Sequence, residues 1–225
     1  MRKFDYSFLK RISVPADIMN YATSIYEMKA KAELRRSDFA EVFSAMESVA
    51  KIQSVKSSNA IEGIITTDKR IRDIVNKSTA PQGHNELEIA GYRDALDLIH
   101  GSYSDIPFSE KSILQLHRML LRPSGDDLAG RYKTEDNFIM ETDREGVRSV
   151  RFTPIPANET ASAMEQLILA YHAAYSESEI NPLLLIPCVI LDFLCIYPFR
   201  NGNGRMSRLL SLLLLYKNGF SAGKY

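Results

Sequence analysis

The sequence predicts an all-α fold, a helical bundle interrupted once by a small β-hairpin. Three observations carry that expectation. Apolar residues recur at three- and four-residue spacing through most of the 225-residue chain. Capping and stop residues bracket those stretches. Only the segment from Gly130 to Phe152 loses the helical period.

The elements follow in order. Pro15 suits a first turn, and Ile18, Met19, Tyr21, Ile25, Tyr26 and Met28 mark one helix over 16–33. Ser37 offers an N-cap to the next, whose apolar positions Phe39, Val42, Phe43, Met46, Val49, Ile52 and Val55 continue to about Ala60, where Gly63 stops it. Thr67 opens a short helix over 68–75. The stretch 78–85, with Pro81 and Gly83, reads as loop, and two amphipathic helices follow over 86–101 and 109–121. Strands at 131–140 and 147–152 flank the turn-like Thr142-Asp143-Arg144-Glu145-Gly146. A helix then runs to about Tyr175. Asn181-Pro182 caps an apolar run over 183–196 whose only charge is Asp192 and which contains Pro187. That run is shorter than the roughly 20 residues that cross a bilayer, so it predicts a core helix. A last Leu-rich helix over 205–216 ends near Gly219.

Composition narrows the function. Lys and Arg number 28, as do Asp and Glu, so no sustained basic field exists for general nucleic-acid binding. Cys188 and Cys195 stand two helical turns apart, about 10 Å, too far for a disulfide, and read as small buried hydrophobes. The N-terminal MRKFDYSFLK has no apolar core behind its basic residues and is not a signal peptide. The default compartment is the cytosol.

Two apolar helices joined by the polar segment 197–208 form a rigid mount with an exposed tip. Gly202 and Gly204 alternate with Asn201 and Asn203, so backbone N–H groups can converge on one point, and a helix start follows. Arg205 and Arg208, three apart, are expected on one face of its first turn. The segment reads either as a polyphosphate cradle or as an Asn-Gly turn with solvated arginines.

Residues 197–208 resemble the signature of the Fic family, His-Pro-Phe-x-(Asp/Glu)-Gly-Asn-Gly-Arg-x-x-Arg, at Pro198, Phe199, Gly202, Asn203, Gly204, Arg205 and Arg208. The likeness extends over about residues 40–220. It implies an all-α Fic fold with a β-hairpin flap at about 130–152, and transfer of AMP from ATP, with Mg²⁺, to a hydroxyl of a target protein. By resemblance, Gly202, Asn203 and Gly204 line the anion hole, Arg205 and Arg208 hold the outer phosphates, and Phe199 anchors the loop. The flap docks the target, which could be a second copy of this chain, so a homo-oligomer is compatible with the reading. Ser58-Asn59-Ala60-Ile61-Glu62-Gly63 resembles the inhibitory pattern (Ser/Thr)-x-x-x-Glu-(Gly/Asn) of self-inhibited relatives, in which Glu62 would tie up Arg208. Without that resemblance, Glu62 reads as a surface carboxylate near a helix C-terminus. The implied organisation is an N-terminal helical extension over 1–37 and a Fic domain over 38–225, with an inhibitory helix at about 38–62. Some similar proteins carry a winged-helix domain beyond this point.

Two positions depart from the signature. Tyr197 stands where the family places its general-base His, and a phenol of pKa about 10 does not accept a proton at neutral pH. Asn201 replaces the acidic residue expected to ligate Mg²⁺ and offers a neutral oxygen. Three readings follow: a self-inhibited adenylyltransferase, a catalytically silent nucleotide-binding module, or another Fic chemistry such as phosphoryl or phosphocholine transfer. His84 (in the loop), His100, His117 and His172 carry no motif context and read as structural or solvated.

Overall fold

The computed structural model describes residues 4–35, 38–177 and 179–221. Eight helices and one hairpin appear among them: α1 (Ala16–Arg35), α2 (Ala40–Ile61), α3 (Asp68–Val75), α4 (Gly83–Ser102), α5 (Glu110–Leu121), β1 (Ile139–Thr142), β2 (Arg148–Phe152), α6 (Thr160–Tyr175), α7 (Pro182–Ile196) and α8 (Asn203–Lys217). The expected caps at Thr67 and Asn181 form, and Ser109 adds a third: their side chains accept from the backbone N–H of Arg70, Leu183 and Ser112 respectively. Gly63 takes a left-handed φ after α2. Ser37, the expected cap of α2, lies outside the described residues.

The core forms where α4 packs on α5, α6 on α7, and α7 on α8. Leu96, Leu116, Leu120, Val189, Phe193, Leu209 and Leu213 are buried in it. Phe4, Tyr6 and Leu9 join the same core, and the Tyr6 hydroxyl donates to buried Asp192 on α7 at 2.9 Å. The N-terminal strand of chain is thereby pinned to the helix that leads into the signature segment. Cys188 and Cys195 are free thiols, half-buried. No helix among the described residues is long and apolar enough to cross a membrane.

Several expectations need correction. Helix α4 begins at Gly83, not Glu86, so His84 lies in its first turn and bonds Glu88 rather than sitting in a loop. The first strand covers 139–142 only, because 131–138 spends its polar groups on the signature loop instead of on a partner strand. β1 and β2 pair antiparallel, and β2 is exposed throughout. The apolar stripe of α1 does not reach the core: the helix buries no residue, and it touches the main body where Lys29 donates to Asn218 O and Tyr26 meets Phe220.

Candidate functional site

The loop between α7 and α8 is held from three sides. Phe199 is fully buried, and the ring of His117 from α5 stacks on it. His117 Nδ1 accepts from Gly130 N at 2.9 Å, so the proton sits on Nε2, which donates to Asn201 O at 3.0 Å. Burial pushes this imidazole down to about 4, and it stays neutral at pH 7. The second side is the stretch leading to the flap. Lys133 N and Nζ donate to Pro198 O and Ile196 O, and Asn137 Nδ2 donates to Phe199 O. The third is internal. Asn203, buried, accepts from Phe199 N at 3.0 Å and donates to Phe199 O at 2.7 Å, closing the loop on itself. Its side chain braces the turn, which leaves its backbone amide as the group available to an anion.

Gly202 caps α8 with φ +79, a left-handed conformation that suits glycine. No side chain caps the helix, and the first intrahelical bond runs from Met206 N to Gly202 O. The amides of Asn203, Gly204 and Arg205 therefore precede the bonded ladder and face the anion position at the positive end of the helix.

Glu62 lies beside that turn. Its Oε1 lies 2.7 Å from Arg208 Nη2, while Arg208 Nε and Nη2 also donate to Ser58 Oγ (2.7 Å) and Ser58 O (2.9 Å). A Cβ added at Gly204 would collide with Glu62 Oε1, so the carboxylate lies against Gly204 in the first turn of α8. The α2 end is shaped for this: Glu62 N and Ile64 N both donate to Asn59 O. Tyr92 on α4 completes the cluster beneath Ser58, its phenol pushed up by burial against an opposing hydrogen bond from Ser58 and the charges of Arg208 and Arg205.

The two arginines do not share a face as their spacing suggested. Arg205 turns inward, 1% exposed at its side chain, and pairs with the 4% exposed Glu88 of α4 at 2.6 Å; Arg208 turns to α2. Glu88 also accepts from the exposed His84 at 2.7 Å. Sequence reasoning missed Glu88, Tyr92, Lys133 and Asn137, and read His117 as structural or solvated without placing it against the loop. None carries a local motif, since each acts across 60 or more positions or through a helix packed from elsewhere.

Residues 107–215 match the family model described as Fic/DOC family. That stretch is similar to a Fic/DOC family domain. Curated proteins similar to it include Protein adenylyltransferase Fic of Nematostella vectensis, 28% identical over 179 residues, covering 76% of this chain and 39% of that protein. Protein adenylyltransferase fic-1 of Caenorhabditis elegans is 27% identical over 194 residues, covering 83% of this chain and 33% of that protein. The chain thus spans well under half the length of these relatives. A Fic family protein from Desulfovibrio desulfuricans shares the fold with TM-score 0.73 at 20% identity, covering 92% of this chain and 59% of that one. A Fic domain containing signaling protein from Bacteroides thetaiotaomicron does so with TM-score 0.73 at 21%, covering 88% and 72%.

Tyr197 ends α7 with φ 52, a strained left-handed conformation for a bulky residue. Its phenol is half-buried and is pushed up from its ordinary value by burial and by the charge of Glu62. Asn201 Oδ1 accepts from Gly202 N at 2.8 Å. That oxygen is neutral and already engaged, and among the described residues no group of three His, Cys, Asp or Glu could hold a metal ion.

Proposed function

We propose that this chain is a protein adenylyltransferase scaffold restrained by Glu62 and deprived of its general base at Tyr197. The observation that carries the reading is the Glu62 carboxylate over Gly204, bonded to Arg208 at the head of α8. A phosphate entering the same position meets the amides of Asn203, Gly204 and Arg205, which favour an anion. It also meets Glu62, which repels it and occupies the guanidinium it needs. Arg208 is the outer-phosphate ligand in this account, while Arg205 shapes the helix start from beneath. Ser58 serves the restraint by holding Arg208 toward α2.

AMP transfer joins the acceptor hydroxyl oxygen to the α-phosphorus and breaks the bond to the departing pyrophosphate. The hydroxyl proton must leave during that exchange. Tyr197, held protonated at neutral pH, cannot accept it, and loss of general-base help costs about 10²–10⁴ in rate. Asn201 cannot supply the charge that would seat magnesium, so the ion would arrive with the phosphates of ATP. The working unit is proposed to run from about residue 38 through α8, with the target protein, or a second copy of the chain, docking on the flap. A cytosolic setting belongs to the same proposal.

A second reading, a catalytically silent nucleotide-binding module, is favoured specifically by the raised phenol of Tyr197. Both readings need ATP to bind. Titration calorimetry with ATP on the unaltered protein and on Glu62→Gly tests them. The variant should bind about tenfold more tightly, the effect of freeing one partly exposed charged hydrogen bond. Absence of ATP binding by Glu62→Gly would contradict both readings.

A further inference from the structure

Arg118 and Arg122, at the end of α5, and Arg131, after the following turn, line one cleft of about 220 Å³ with Asp126 and Asp127. All three arginines are exposed, and none has an ion-pair partner among the described residues. The acids are already committed. Both bond Arg200 Nη2, at 2.9 and 2.7 Å, and Asp126 also accepts from Leu128 N. Four guanidiniums thus surround two carboxylates that serve the fourth.

The C-terminus of α5 accounts for part of this. A cation there meets the negative end of the helix dipole. It does not account for Arg118 and Arg122 standing four apart with like charge, which weakens a helix. Nor does it account for Arg131, which comes from another segment. Gly130, with φ +79, lets that segment close onto the Arg118 stem, where any Cβ would collide with Arg118 Cβ. The turn is fixed there by Gly130 N donating to His117.

The cleft is tied to the signature loop at two points. Arg200 directly follows Phe199 in the signature loop, and Arg131 begins the segment that braces the loop and runs to the flap at Ile139. We propose that this cleft is a recognition subsite for an acidic segment of the protein that docks beside the signature loop, with Arg118, Arg122 and Arg131 pairing its carboxylates. The occupant is a peptide rather than a polynucleotide for two reasons. No aromatic side chain lines the cleft to stack a base, and the chain carries no net charge to hold a phosphate backbone. Guanidinium forks match carboxylates bidentately. The role as a target subsite rests on the transferase reading above; the anion preference of the cleft does not.

The test is fluorescence anisotropy with a labelled octapeptide of alternating Glu and Gly, titrated without nucleotide into the full chain. Saturable binding is expected, weakening with added salt. The double variant Arg118→Gln/Arg131→Gln should weaken it about tenfold, as two partly exposed charge pairs are lost. Arg122→Gln should weaken it less, and Lys69→Gln, on the exposed side of α3, should leave it unchanged. Equal binding by the double variant, or no binding by the unaltered chain, overturns the proposal. So does a uridine dodecamer that displaces the peptide and depends more strongly on the same arginines. Because nucleotide is absent, failed AMP transfer leaves this result intact, and failed peptide binding leaves the transferase reading intact.

Discussion

The imidazole of His117 lies flat on the ring of Phe199, with centroids 3.6 Å and planes 5° apart. The stack joins α5 to the signature loop, and both ring nitrogens are used, one by Gly130 and one by Asn201. Only the neutral tautomer satisfies that arrangement. A proton on Nδ1 would face the Gly130 N–H and break it.

The first prediction is a pH dependence of stability. The folded pKa of His117 is about 4 against an ordinary 6.5, so between those values the unfolded chain binds a proton that the folded chain does not. Stability contributed by neutral His117 is present above pH 6.5 and lost as pH falls toward 4, by roughly 3 kcal/mol. Urea unfolding at pH 7 and pH 4.5 should show this loss in the unaltered protein. The His117→Gln protein, less stable at pH 7, should show a smaller difference between the two conditions. Equal pH dependence in both would reject the assignment.

A second prediction concerns Asn203. Replacing it with Ala strips two hydrogen bonds from buried Phe199 backbone groups. The expected loss is about 2–3 kcal/mol in urea unfolding, with weakened ATP binding as the loop relaxes. A change confined to nucleotide binding, with stability untouched, would argue that the side chain serves the ligand rather than the loop.

A third prediction concerns the buried ion pair. Glu88→Ala leaves the Arg205 guanidinium without its counter-charge inside the core and should cost about 3–5 kcal/mol. His84→Ala, which removes only an exposed partner of the same carboxylate, should leave the urea midpoint nearly unchanged. Comparable losses from both would mean that the buried pair across α4 and α8 adds nothing beyond the His84 contact within α4.

Much of the fold was legible because its punctuation is local. Thr67 and Asn181 sit at the helix starts they were expected to cap, and the loop at 197–202 stands between the two apolar helices that border it. The contact between Glu62 and Arg208 spans 146 positions and was foreseen through the resemblance of two motifs, not through any local signal. The failures have a common physical cause. The segment 131–138 loses the helical period ahead of a turn and so reads as strand, but its donors serve Pro198 O, Ile196 O and Phe199 O. Three-residue spacing aligns Arg205 and Arg208 on a bare helix, yet their long arms follow separate carboxylates on α4 and α2. Periodicity marked α1 as amphipathic without saying what, if anything, covers the stripe. His117 had no pattern around it at all; only the packing of α5 against the loop reveals its use.

The most direct test of the account is intact-mass analysis after incubation with ATP and Mg²⁺. It compares Glu62→Gly alone with Glu62→Gly carrying Tyr197→His. The account predicts an AMP adduct on the double variant and at least a hundredfold slower accumulation on the single one, the rate a missing general base costs. An adduct that forms equally fast on both would contradict the role assigned to Tyr197. No adduct on either, in proteins that bind ATP, would contradict the transferase scaffold itself.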